Sequence, residues 1–319
     1  TISNCNFDDC VDHNDFFVLK LDVSNLNFLY NKIDFSNLET NGGCIILEKI
    51  VNHVFNGNLF KNYKFDDKDT DVGVSGGIHC FKADSLVSFS LINNTFENAL
   101  GNNQGRCILL AEIPQNKVTI RNNTIINCLA GGPLFYLRFS NAISDFTIES
   151  CNFIENTVNE YWNSNADSLM TPQVWVVNKL NGQYGTKFNL IFDSCYFQKN
   201  HSPAGGAIHY GKGNNMVNTR VIFRSCQFLE NEANTGSAIL IESYQGCEII
   251  DCRFIKNKAQ ESLGTVNIKT DFFLSESRES TLIITGSTFE DNECKEGHAI
   301  YIAESTFSVQ ITKCTFKDC

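Results

Sequence analysis

Proline is scarce, 4 residues in 319, and tryptophan and methionine number only 2 each. So little proline argues against polyproline spacers and Pro-rich linkers. No stretch approaches the ~18 consecutive apolar residues of a membrane-spanning helix, so no transmembrane segment is expected. Basic clusters are missing too: the net charge is −11 and the charges are dispersed, which speaks against a nucleic-acid partner. The 6 histidines do not sit at metal-ligand spacing and no cysteines fall as C-x-x-C, which leaves no zinc pattern. No cofactor is expected. The chain opens without methionine and without a signal-peptide pattern, and reads as a mature or excised portion of something longer.

What is abundant is phenylalanine (26), glycine (21) and cysteine (14). Fourteen cysteines are many for a reducing compartment. The triplets Asn93-Asn94-Thr95, Asn122-Asn123-Thr124 and Asn200-His201-Ser202 match the N-glycosylation acceptor. Together these point to a secretory route and an extracellular or cell-surface location. Some cysteines are expected to be bridged, with Cys195, Cys226 and Cys252, Cys5 with Cys10, and Cys314 with Cys319 as candidates, and others to be buried thiols.

One pattern covers the chain. It is clearest at Phe188–Tyr210, where an apolar pair Leu190/Phe192 precedes Cys195-x-Phe197-x-x-Asn200, a short turn, and Gly205-Gly206-Ala207-Ile208. The aromatic position recurs as Phe7, Phe35, Phe55, Phe96, Ile125, Phe153, Phe197, Phe228, Phe254, Phe289 and Phe316. Cysteine, asparagine or another residue stands two places earlier, with Ile33 and His53 filling that place in two copies. The preceding apolar pair recurs as Phe28/Tyr30, Phe89/Leu91, Phe146/Ile148, Val221/Phe223 and Leu282/Ile284.

Short alternating segments rich in β-branched and aromatic residues, separated by Gly/Asn turns, predict strands. One repeat cannot bury its own apolar face, so the repeats must stack. The predicted fold is all-β: a right-handed single-stranded parallel β-helix (solenoid) of about ten coils, three strands per coil. No composition break divides residues 1–319, so one domain is expected, with insertions near 61–74 and 157–187.

The phenylalanines Phe153, Phe197, Phe228, Phe254, Phe289 and Phe316 should form one interior stack. Asn156, Asn200, Asn231, Asn257 and Asn292 should form an amide ladder at one corner, interrupted towards the N-terminal half. That ladder turns Asn200 inward and leaves Asn93 and Asn122 as the glycosylation sites.

The alternation of F-x-x-N, as at Phe197/Asn200 and Phe228/Asn231, with G-G-A-[ILV], as at Gly205–Ile208 and Gly236–Ile239, resembles the polymorphic membrane protein repeat. The resemblance holds from about residue 146 onward. It implies a β-helical, adhesive protein of the cell surface.

For function, the outward column Arg121, Glu149, Asp193, Arg224 contains the nearest approach to a carboxylate pair. The 44-residue motif interval between Glu149 and Asp193 leaves room for an extra coil, and a charge ladder on a solvated face is the expected role. Tyr161, Trp162 and Trp175 concentrate aromatics on the second insertion, a candidate recognition loop. The expected function is a structural and adhesive rod with no catalytic or metal site. Its partners would be a host or neighbouring-cell surface protein or glycan, or copies of itself end to end. A polysaccharide lyase or hydrolase on the same scaffold is the alternative.

Overall fold

The computed structural model describes residues 1–8, 17–36, 43–49, 51–65, 77–81, 88–101, 107–114, 118–130, 134–141, 145–158, 174–178, 188–210, 219–242, 246–262, 264–269, 280–295, 299–303 and 307–319. Among these there are strands and no helix.

Each coil passes through three parallel sheets in turn. The first has eleven strands, from Ile2–Ser3 to Phe307–Thr312; the second has eleven, from Asn6–Asp8 to Thr315–Lys317. The third has ten, from Phe17–Asp22 to Ile300–Ala303. Every strand pairs with its equivalent one coil away, so Phe197 stands between Phe153 and Phe228. This is a parallel β-helix. Short strands beyond the second sheet, such as Leu100–Gly101, Leu129–Ala130 and Thr157–Val158, add a fourth side in the coils that contain them.

The three-residue steps in the sequence have one cause. Phe192 points inward, Asp193 outward, and Ser194 adopts a left-handed conformation (φ 55°) that slips the alternation by one residue. Cys195 and Phe197 are therefore buried as well. The same device recurs at the first bend in Asn93, Asn122, Ser150, Ser225 and Asp251, and at the second in Asn98, Asn127, Glu155, Lys199, Glu230, Lys256 and Asp291. Left-handed φ costs an L-residue roughly 1–2 kcal/mol. Hydrogen bonds to the next coil hold it in place, for example Ser194 N–H to Arg224 O at 2.8 Å and Lys199 N–H to Leu229 O at 2.9 Å.

Strand spacing also sets the core. Rings at equivalent positions must lie about 4.8 Å apart, and Phe153–Phe197, Phe197–Phe228, Phe228–Phe254, Phe254–Phe289 and Phe289–Phe316 have centroids 4.6–5.0 Å apart and planes within 10°. Each fully buried phenylalanine contributes on the order of 1.5–3 kcal/mol. The predicted stack is present.

In the second and third coils the register differs from the sequence reading. Ile33 and Phe60, not Phe35 and Phe55, occupy the stack between Phe7 and Phe96. Phe28 and Phe55 belong to the first sheet, opposite Leu91, and the apolar pair there is Leu26/Phe28. Tyr30 is the left-handed bend residue (φ 54°) and 60% exposed. Asn31 and Asn58, not Ile33 and His53, follow the first bend. The error arose because any phenylalanine near the expected spacing fits a Φ-x-F pattern, whereas only backbone φ distinguishes a bend from a strand.

The predicted insertions contain ordinary coil strands. Lys61 ends a second-sheet strand, and Lys64–Phe65 and Thr157–Val158 lie in the fourth sheet. Val174–Asn178 pairs with Phe135–Asn141 in the third. Residues 66–76, 159–173 and 179–187 lie outside the described residues.

Candidate functional site

Two amide ladders run inside the corners. At the second bend, Asn156, Asn200, Asn231, Asn257 and Asn292 are buried. Each accepts at Oδ1 from the backbone N–H of the coil before; Asn200 N–H to Asn231 Oδ1 is 3.1 Å. Each donates through Nδ2 to the carbonyl of the stacked core residue one coil back, Ile125 for Asn156 and a phenylalanine for the others, as Asn231 does to Phe197 O at 3.0 Å. The five residues predicted for this ladder all stand in it.

A second ladder, only partly visible in the sequence, lies at the first bend. Asn31, Asn58, Asn94 and Asn123 are buried and bonded in the same way, with Asn58 N–H to Asn94 Oδ1 at 3.0 Å and Asn123 Nδ2 to Leu91 O at 2.8 Å. From Cys151 onward thiols replace the amides at this bend, except at Ser287, whose hydroxyl bonds Thr285 O at 3.1 Å and Ile249 O at 3.5 Å. Cys195 Sγ bonds Ile148 O and Asp193 O at 3.3 and 3.5 Å, and Cys226 Sγ bonds Phe192 O and Arg224 O, both at 3.3 Å. These are the carbonyls that Asn94 and Asn123 reach in their own coils, Phe55 O with Ile92 O and Leu91 O with Arg121 O. Thiol and amide fill one structural role. Burial pushes the Cys151 thiol up to about 11 and those of Cys195 and Cys252 above the usual range.

All twelve cysteines whose side chains are described are thiols, Cys314 and Cys319 among them. The expected Cys195/Cys226/Cys252 bridging does not occur, and strand spacing explains it. In-register neighbours hold parallel Cβ atoms about 4.8 Å apart, beyond the 3.5–4.5 Å a disulfide takes. Cys10 lies outside the described residues.

A different thiol group appears that no repeat position marks. Cys107 Sγ lies 3.9 Å from Cys128 Sγ inside the column. Cys107 precedes the third-sheet strand of the fourth coil and Cys128 follows the second bend of the fifth, 21 residues on. Tyr63 and Cys44 are buried beside them, and burial first, then the neighbouring thiols, pushes the Tyr63 phenol well up.

On the outer face, Glu149 stands directly opposite Asp193, with Arg121 opposite Glu149 and Arg224 opposite Asp193. No coil intervenes between the two carboxylates, so the long interval is carried elsewhere in the coil. Arg121, Glu149 and Arg224 are exposed and Asp193 is half-buried, accepting from Ser194 Oγ at 2.8 Å. The four form a plus, minus, minus, plus column on a sheet face.

Asn93 and Asn122 are exposed at successive first bends, with Asn122 Nδ2 3.2 Å from Asn93 Oδ1. Asn200 is fully buried. Trp175 lies in the third-sheet strand Val174–Asn178, with Tyr136 opposite; Tyr161 and Trp162 lie outside the described residues. His53 sits inside the first sheet between Leu26 and Phe89. His209 faces away from the lumen by register yet is 5% exposed, and Leu240 and Asn267, opposite in the next coils, are fully buried. The outer face of the third sheet is therefore covered at these coils. Among the described residues no group of three or more His, Cys, Asp or Glu is placed to hold a metal ion, and no helix is long and apolar enough to cross a membrane.

Comparison with family models, with curated proteins and with solved structures returned no match.

Proposed function

We propose that this chain is a secreted or cell-surface rod whose role is structural and adhesive. The observation that carries the reading is the division of labour between its faces. The chemically versatile side chains, thiols and amides, are spent inside on closing the backbone hydrogen bonds of the bends. The outward carboxylates stand in a column with arginines at either end. Such a face suits repeated weak contacts with a host or neighbouring-cell surface protein or glycan. The resemblance to the polymorphic membrane protein repeat supports the same role. The test is binding of the purified, fluorescently labelled chain to cell surfaces and glycan arrays, with mass spectrometry of the secreted product. Saturable binding with glycans on Asn93 or Asn122 and none on Asn200 supports the reading; absence of both sinks it.

A further inference from the structure

We propose that Cys107 and Cys128 form a disulfide inside the column, joining the fourth coil to the fifth, when the chain folds in oxidising surroundings. The inference rests on the secretory reading in that one respect.

The geometry differs from that of every thiol column. Cys151, Cys195, Cys226 and Cys252 repeat along one corner with parallel side chains, each bonded to backbone carbonyls. Cys107 and Cys128 come from two different corners and approach sulfur to sulfur at 3.9 Å, the Cys107 thiol pointing at its partner rather than at a carbonyl. Bond formation must bring the sulfurs from 3.9 Å to about 2.05 Å. The Cys128 thiol also bonds Phe96 O and Ile126 O at 3.7 and 3.4 Å. Giving up its hydrogen does not orphan Ile126 O, which keeps the Asn98 N–H at 3.1 Å.

The location makes a bridge useful. Asn123, in the fifth coil, ends the first-bend ladder, and Asn156, in the sixth, begins the second-bend ladder. The corner amides change sides here, and a covalent tie between adjacent coils holds the changeover.

The chemistry is a two-electron oxidation. The two thiols lose two protons and two electrons and one S–S bond forms; the electrons reduce the disulfide of an exchange partner, such as oxidised glutathione, to two thiols. Both sulfurs are shut away from solvent in the finished column, so exchange belongs to the stage of folding before these coils close. Afterwards the same enclosure protects the bond from reductant.

The test refolds the denatured, reduced chain in a mixed reduced and oxidised glutathione buffer. Remaining thiols are alkylated under denaturing conditions, glycans are removed, and tryptic peptides are weighed without reduction. The expected product links residues 107–117 to residues 122–138, and it disappears in Cys107→Ser and in Cys128→Ser. Alkylation of both cysteines in the refolded chain, or a bond from Cys128 to another partner, overturns the pairing. The chain recovered from a secretory host separates the two readings. Glycans present with Cys107 and Cys128 both alkylated defeats the bridge alone. The linked peptide from glutathione refolding, with no glycan on the secreted chain, supports the bridge and counts against the secretory assignment.

Discussion

Asn156 accepts the backbone N–H of Cys128 through its Oδ1 at 3.0 Å, at the height where one amide ladder stops and the other starts. Before this point Asn31, Asn58, Asn94 and Asn123 close the first bend; after it Asn156, Asn200, Asn231, Asn257 and Asn292 close the second, while Cys151, Cys195, Cys226, Cys252 and Ser287 close the first. The column is thus one repeat carrying two corner chemistries, exchanged once.

The ladders predict a graded response to mutation. Asn231 accepts from Asn200 N–H and donates to Phe197 O and to Asn257 Oδ1. In Asn231→Ala a buried N–H and a buried carbonyl oxygen lose partners, each worth about 1–3 kcal/mol. A loss of roughly 2–4 kcal/mol is expected by denaturant unfolding. Asn231→Cys should lose less, since Cys128 and Cys319 fill the same corner in other coils. Equal losses in the two variants would show that the thiol does not replace the amide.

At Gly206, before the third sheet, glycine is a steric requirement, although the next coil carries Ser237 at the same position. A Cβ on Gly206 would lie 2.1 Å from Ser237 O and 2.9 Å from Glu232 O, both backbone atoms of the next coil. Neither can move without breaking the stack. Gly206→Ala should lower stability by more than about 2 kcal/mol and leave Gly246→Ala, whose nearest contacts, Arg220 Nε and Thr281 O, both lie 3.3 Å away, comparatively mild. The readout is the difference between their thermal midpoints.

The architecture was legible in the sequence because stacking repeats the same demand in every coil. Phe197, Phe228 and Phe254 announce one column, and Asn200, Asn231 and Asn257 another. What failed was register where copies degenerate: Phe35 and Phe55 mimicked the motif because spacing alone does not reveal which residue is left-handed. The Cys107–Cys128 approach was invisible for a related reason. It joins two different positions of the repeat, so no periodicity marks it, and only the stacking of the fifth coil on the fourth brings the sulfurs together.

His53 predicts an acid-sensitive core. It is fully buried, both ring nitrogens lack partners among the described residues, and desolvation lowers its pKa to about 4. The unfolded chain, with an ordinary imidazole near 6.5, therefore binds the proton more readily. Its contribution is fully present above about pH 6.5 and is lost as pH falls towards 4. Between pH 7 and pH 5 the folded state should lose about 2 kcal/mol from this residue. His53→Leu, matching Leu26 in the same column, should remove that part of the slope. An unchanged slope in the variant would assign the acid sensitivity to other groups.

The outward carboxylates separate the rod from an enzyme. Glu149 and Asp193 occupy one rung pair on a sheet face, close enough to repel and bordered by Arg121 and Arg224 in the same register. Like charges directly opposite are unfavourable. Glu149→Gln should therefore leave stability unchanged or raise it by less than about 1 kcal/mol, the gain shrinking in high salt. Asp193→Asn also changes the acceptor for Ser194 Oγ, so its gain should be smaller. A hydrolase or lyase makes the opposite demand: the pair must be kept at some expense in stability because it performs acid–base chemistry. Neutral and acidic polysaccharides incubated with the wild-type chain should release no reducing ends or unsaturated products. Turnover that disappears in Glu149→Gln or Asp193→Asn would make the column an active site and overturn the structural role.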